Sequence, residues 1–177
     1  MANDSIGTVR RPEANLIHNT AASTVTLTTA NTPVKLTDGA ALGELEIRTA
    51  STHGLAGAPL AYSNTLGEYT VQNHGRILAD VELRAAKGVA GSVVTFRLVL
   101  GKAGDAAGVG TVVFARQIPA SAGTAQYYIR AHEMIFGAAP GQVLTAQVVS
   151  DTNADSLAIA DCGILYKSIP EVLGSQI

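Results

Sequence analysis

The sequence predicts an all-β protein, an antiparallel jelly-roll β-sandwich preceded by an extended N-terminal arm. Three observations carry this. Several segments alternate apolar and polar residues with a period of two, which sends successive side chains to opposite faces of a strand. From Ala21 onward Thr, Val, Leu and Ile dominate, with Gly, Pro and Asn as punctuation, the chemistry of short strands separated by turns. No window reads as a helix, since the Ala-rich stretch 101–110 is broken by glycines.

The elements follow in chain order. Residues 1–20 are polar and lack periodicity, and we read them as the arm. Residues 21–167 then form the jelly-roll domain, with short strand candidates at 24–29, 33–37, 42–48 and 68–72. Residues 76–84 alternate cleanly, with Ile77, Ala79, Val81 and Leu83 against Arg76, Asp80, Glu82 and Arg84. Residues 92–100 carry Val94, Phe96, Leu98 and Leu100 on one side. Residues 111–118 carry Val112, Phe114 and Ile118, and residues 124–131 set Ala125, Tyr127, Ile129 and Ala131 against Thr124, Gln126, Tyr128 and Arg130. Residues 142–150 continue the pattern less cleanly. Residues 156–167 are apolar on both faces, with Leu157, Ile159 and Leu165 on one and Ala158, Ala160, Cys162, Ile164 and Tyr166 on the other. Such a strand is expected to be covered on both sides. Asp161 interrupts it, either hydrogen-bonded within an assembly or facing solvent. The C-terminal tail, 168–177, holds Ile169, Val172, Leu173 and Ile177, too many apolar residues for free solvent, so we expect it to pack on a neighbour.

Composition excludes several function classes. The 177 residues are 47% apolar and only 15% charged, where about 25% is usual, and aromatics are 5% with no Trp. The chain is too apolar for intrinsic disorder. A net charge of −2 gives no basic surplus for nucleic acid. No apolar run reaches the roughly 18 residues that span a bilayer, and residues 1–11 have no apolar core of a signal peptide. We therefore expect synthesis in a cytosol with the single cysteine, Cys162, reduced.

The chemical candidates are thin. There is no nucleophile elbow and no phosphate-binding loop. His132-Glu133 begins a zinc-protease pattern, but position 136 is Phe where the second histidine is required. His18, His53, His74 and His132 are scattered near turns and element ends. Asp151, Asn153 and Asp155 form a D-x-N-x-D run like the first half of a calcium loop, without the glycine and closing glutamate that complete one. The plain reading is a polar hairpin loop, and the functional one a weak calcium site. Cys162, in an apolar strand beside Asp161, reads as a small hydrophobe. We expect no catalytic residues and no cofactor.

The order of motifs resembles a known family. Gly67-Glu68-Tyr69-Thr70-Val71, followed by Asn73-His74-Gly75-Arg76 and an alternating strand, is similar to the approach to the C strand of C1q/TNF-like jelly rolls, with Ile77 where an aromatic is usual. Pro140-Gly141-Gln142-Val143-Leu144-Thr145-Ala146-Gln147-Val148 resembles their G strand, with Gln142 in place of Asp. Leu157 to Tyr166, with Cys162-Gly163-Ile164-Leu165 at its centre, resembles their last strand. The resemblance spans roughly residues 67–167. It implies a parallel homotrimer with the last strand near the threefold axis, and it implies Tyr127, Ile129, Leu157, Ile159, Cys162, Ile164 and Tyr166 as the trimer interface.

In texture the chain also resembles the small trimeric accessory proteins of tailed-phage particles. That likeness implies a virion structural protein without enzymatic activity, a decoration (cement) protein bound to the major capsid protein. Arg10, Arg11, Pro12, Asn15, Leu16 and Ile17 of the arm are then the partner-binding candidates. Two rivals stand beside it. A fibre tip or carbohydrate-binding head needs an aromatic stacking platform, and residues 50–60 and 101–110 have none. A lyase or depolymerase needs a carboxylate site that no residue identifies.

Overall fold

The computed structural model describes residues 14–19, 22–36, 45–50, 62–63, 66–71 and 75–170. Twelve strands and one short 3-10 turn, Ala120–Ala122, make up the ordered elements among them. All strand pairings are antiparallel, and the strands fall into two sheets packed face to face, a jelly-roll sandwich. Among the described residues no helix is long and apolar enough to cross a membrane.

The front sheet is built on β12, Asp155–Pro170. On one side β7, Gly75–Lys87, runs along nearly its whole length, and β10, Tyr127–Ala138, forms the edge beyond. On the other side two strands share the flank. β2, Ser23–Leu27, pairs with residues 155–159, and β1, Ala14–Asn19, pairs with residues 163–167. β4, Leu45–Ala50, closes that edge against β1.

The back sheet repeats the plan around β11, Gln142–Ser150. β8, Val94–Lys102, and then β9, Thr111–Ile118, lie on one side. β6, Glu68–Thr70, and β3, Val34–Lys35, share the other, with β5, Tyr62–Ser63, outside β6.

The core lies between the sheets. Leu83, Val81, Ala79 and Ile77 of β7 enter it, as their alternation requires, and meet Phe96 and Leu98 of β8 and Leu144, Ala146 and Val148 of β11. Tyr69 and Tyr166 stack across the sandwich with ring centroids 4.6 Å apart, and Phe96 meets Phe114 edge-on at 6.1 Å.

Four differences from the sequence reading have physical reasons. Of the arm expected at 1–20, residues 14–19 form strand β1, hydrogen-bonded on both sides, and residues 1–13 and 20 lie outside the described residues. β12 runs past residue 167 to Pro170, and residues 171–177 of the tail also lie outside. Val112 was expected inward with Phe114. A register shift opposite Leu98 and Val99 breaks the alternation there, and Val112 faces solvent.

The fourth concerns the strand expected to be apolar on both faces. β12 carries a bulge between Ile159 and Asp161. One extra residue shifts the phase, so Leu157 and Ile159 point inward before it and Cys162, Ile164 and Tyr166 after it. One face of β12 thus takes all the large core side chains. The strand buried on both faces is β11, where every residue from Val143 to Val148 is buried.

Tyr166→Ala removes the stacked ring from the sealed centre of the sandwich. It is expected to lower unfolding free energy by about 3–5 kcal/mol, measured by urea denaturation.

Candidate functional site

The two outer faces of the sandwich differ. The outer face of the back sheet is closed by the chain's own loop, residues 103–110. Glu68, buried on β6, accepts the Gly104 N–H at 3.1 Å and holds Lys35 at 2.9 Å. Gln147, buried on β11, accepts the Gly108 N–H and the Arg97 guanidinium, each at 3.0 Å, and donates to Thr145 at 2.9 Å. Asp105 caps the Lys102 N–H at 2.7 Å. Gly110 ends the loop at φ +113, where a Cβ would stand 2.6 Å from the Leu100 carbonyl oxygen, so only glycine fits. The glycine-rich segment is the hairpin loop its sequence suggests, pinned down over the sheet.

The outer face of the front sheet has no such cover among the described residues. Its outward positions form cross-strand rows. Arg130 of β10 bridges Glu82 of β7 at 3.3 Å, and the His132 imidazole meets the Asp80 carboxylate. Arg84 stands in register with Asp161. Asp161 thus sits on the open face, on the outward side that the bulge gives it. A shallow depression lies among Asp80, Glu82, Arg130, His132, Gly163 and Leu165, where Gly163 contributes no side chain. Toward the β10 edge stand three large apolar side chains, Tyr128, Met134 and Phe136, with Phe136 64% and Tyr128 53% exposed. Arg76 lies over the Phe136 ring at 5.3 Å. β9 is the adjacent edge of the other sheet, joined to β10 by Arg116 and Glu133 at 3.6 Å, and adds exposed Val112.

The residues expected at a trimer interface lie elsewhere. Ile129, Leu157, Ile159, Cys162, Ile164 and Tyr166 are buried in the chain's own core, and Tyr127 packs against it. A side chain sealed in its own sandwich offers nothing to a neighbour. The face a neighbour can touch is the opposite one, read from the intervening residues of the same strands. Burial, with Asp161 beside it, pushes the Cys162 thiol up to about 12, which leaves it unreactive.

The oxygens of Asp151, Asn153 and Asp155 are engaged by backbone donors at one end of the sandwich, Asp151 and Asp155 tying the 88–93 loop and Asn153 the 28–33 loop. Asp151 accepts the Val93 N–H at 2.9 Å, and Asn153 accepts the Ala30 N–H at 2.8 Å. Asp155, buried at the start of β12, accepts the Val89 N–H at 3.0 Å, the Ser156 N–H at 2.7 Å and the Ser150 hydroxyl at 2.7 Å. Lys87, also buried, donates to the Ser92 and Pro119 carbonyls at the same end. No three His, Cys, Asp or Glu side chains among the described residues stand close enough to hold a metal ion. Of the partner-binding candidates, Asn15, Leu16 and Ile17 lie in β1, and Arg10, Arg11 and Pro12 lie outside the described residues. His53 and His74 also lie outside them.

The fold defines a TNF-like jelly roll. The chain superimposes on the structure of Eiger TNF from S. frugiperda with a TM-score of 0.54 and 13% identity, covering 94% of this chain and 99% of that one. The crystal structure of the infectious bursal disease virus VP2 subviral particle gives a TM-score of 0.49 and 10% identity over 89% of this chain and 33% of that one. The Gx strain of the same virus gives 0.48 and 12%, over 88% and 32%. No protein-family model and no curated protein matches the sequence.

Burial pushes the Asp155 carboxyl up, but the Ser92 and Ser150 hydroxyls and the Ser156 and Val89 N–H groups outweigh it and hold the group below its ordinary value of 3.8. A group depressed on folding contributes stability that is present above that value and is lost as pH falls through the lower folded one. Asp155→Ala is expected to cost about 1–3 kcal/mol near pH 7. In denaturant titrations from about pH 7 to about pH 3, the variant loses less stability than the parent chain.

Proposed function

We propose that the chain is a non-enzymatic structural protein of a virus particle, a homotrimeric capsid decoration protein. One observation carries the self-assembly on which this rests. The back sheet is closed by its own loop, while the front sheet leaves Tyr128, Met134 and Phe136 in water beside two long edge strands. Long unprotected edges and clustered exposed apolar side chains are what a folded chain covers with a partner. The occupant we assign is a second copy, its β9–β10 edge set against the front-sheet face of the first. That contact joins two different surfaces, and it closes into a ring when the rotation between copies divides a full turn. Three is the number that the C1q/TNF-like resemblance implies.

The decoration role adds the N-terminal segment. Arg10, Arg11 and Pro12 are its contacts with the major capsid protein, and three such segments on one rigid trimer gain avidity because the second and third bind at high effective concentration. The mechanism is mechanical: a trimer straddles neighbouring capsid subunits on the virion surface and clamps their joints. The chain is made in the host cytoplasm and binds no nucleic acid, membrane or cofactor.

Sedimentation velocity should give a trimer, and a stable monomer overturns the assembly. Phe136→Glu with Tyr128→Glu should yield a folded monomer, because both side chains are exposed in the single chain and their loss leaves its core intact. Removing residues 1–13 should leave the trimer folded and abolish attachment to the particle. Attachment that survives the truncation removes the arm from the mechanism. A few copies at the tail tip, seen by electron microscopy of the particle, would favour a fibre head instead.

A further inference from the structure

The reading above brings a second copy onto the outer face of the front sheet, and the charges of that face govern when it can be covered. Three cross-strand couples of acid and base lie there. Arg130 bridges Glu82, and Arg84 stands in register with Asp161. Arginine–carboxylate couples keep both charges across the neutral range. The third couple is His132 with Asp80. Histidine is the residue type that gains and loses its charge between about pH 5 and pH 8. A neutral imidazole still donates one hydrogen bond to the carboxylate but leaves the negative charge uncompensated.

The other bases near Asp80 stand one row away. On β10 the outward neighbours of His132 are Arg130, already on Glu82, and Met134, while Glu133 turns the other way to Arg116. On β7 Asp80 lies between Leu78 and Glu82 at the outward positions. On β12 the register partner of Asp80 is Leu165, flanked by Gly163 and Lys167, and Lys167 stands opposite Leu78 one row on. β1 continues these rows with Leu16 opposite Leu165 and His18 opposite Gly163. In the single chain His132 is 67% and Asp80 28% exposed, so water still reaches the couple although Asp80 Oδ1 itself is shut off from it. Beneath a second copy that water is gone, and a carboxylate without a countercharge is strongly disfavoured.

We infer that the contact between copies is tightened by acid through His132, because only the protonated imidazole completes the charge pairing of the covered face. The inference rests on copies meeting at this face.

A dilution series by analytical ultracentrifugation at about pH 8 and about pH 5.5 tests it on the full chain. The association constant is expected to rise about tenfold or more at the lower pH. His132→Gln keeps a hydrogen-bond donor and should lose the acid tightening. Asp80→Asn removes the carboxylate charge and should associate at about pH 8 as tightly as the parent does in acid. Circular dichroism checks that each protein keeps its β signal at both pH values. Should His132→Gln fail to fold, Asp80→Asn carries the same comparison. A trimer equally tight at both pH values, or acid tightening that survives His132→Gln, overturns the inference and leaves the trimer standing. A monomer at both pH values overturns the two together.

Discussion

The backbone pairing of β12 is the constraint from which the rest of the sandwich takes its register. This strand meets β7 along one side and β2 and β1 along the other, so its phase decides which side chains of three neighbours face inward. Side chains alternate with a period of two, and a slip of one residue would turn Leu157 and Ile159, or Cys162, Ile164 and Tyr166, out into water. The bulge at residues 159–161 absorbs that slip inside the strand. It lets both halves of β12 bury their large residues, and it places Ala160 and Asp161 together outward. The Tyr69–Tyr166 stack then ties the far half of β12 to the back sheet.

The two outer faces follow from how each central strand is flanked. β11 offers Thr145 and Gln147 on its outer side, polar groups that need partners once covered, and the 103–110 loop supplies N–H groups to Gln147 and to Glu68. The covering is therefore specific: backbone donors of one loop meet acceptors placed on two strands. β12 offers Ala158, Ala160, Gly163 and Leu165 outward, residues with no side-chain hydrogen bonds to give, beside the polar Asp161 and Lys167. Among the described residues no loop is recruited there by the same means. Arg130 with Glu82 and His132 with Asp80 are paired across strands within the sheet, so an apolar surface set upon them leaves fewer charges orphaned.

Most strands were legible in the sequence. β9 and β11 fall at the expected residues, and β7 and β8 within a few, because their alternation is clean. β1 was missed because Ala14-Asn15-Leu16-Ile17-His18-Asn19 places two apolar residues side by side and gives no period of two. β5 is too short to carry a pattern. The residues expected at an interface lie in the core for a different reason. The bulge is a backbone event, and a strand that alternates, slips and alternates again reads from sequence as apolar on both faces. Burial of β11 on both faces was equally hidden, since it depends on Gly104 and Gly108 meeting acceptors 36 and 39 residues away. The D-x-N-x-D run begins in the turn between β11 and β12, and its oxygens are engaged by backbone donors from other loops.

The sparse charge of the chain now has a distribution as well as a count. Of the few charged groups, several are drawn inside: Glu68 with Lys35 holds the covering loop, and Lys87 and Asp155 knit the loops at one end. On the open face, acids and bases lie opposite one another across strands. A surface meant only to stay in water gains solubility from unpaired charge, which keeps copies apart. Here Arg130 with Glu82 and His132 with Asp80 are matched within one chain and bordered by Tyr128, Met134 and Phe136. Matched charges cost less to cover than unmatched ones, and the apolar border supplies the area that favours covering them. The low charge content and the exposed apolar edge are thus two aspects of one surface, suited to contact with another protein.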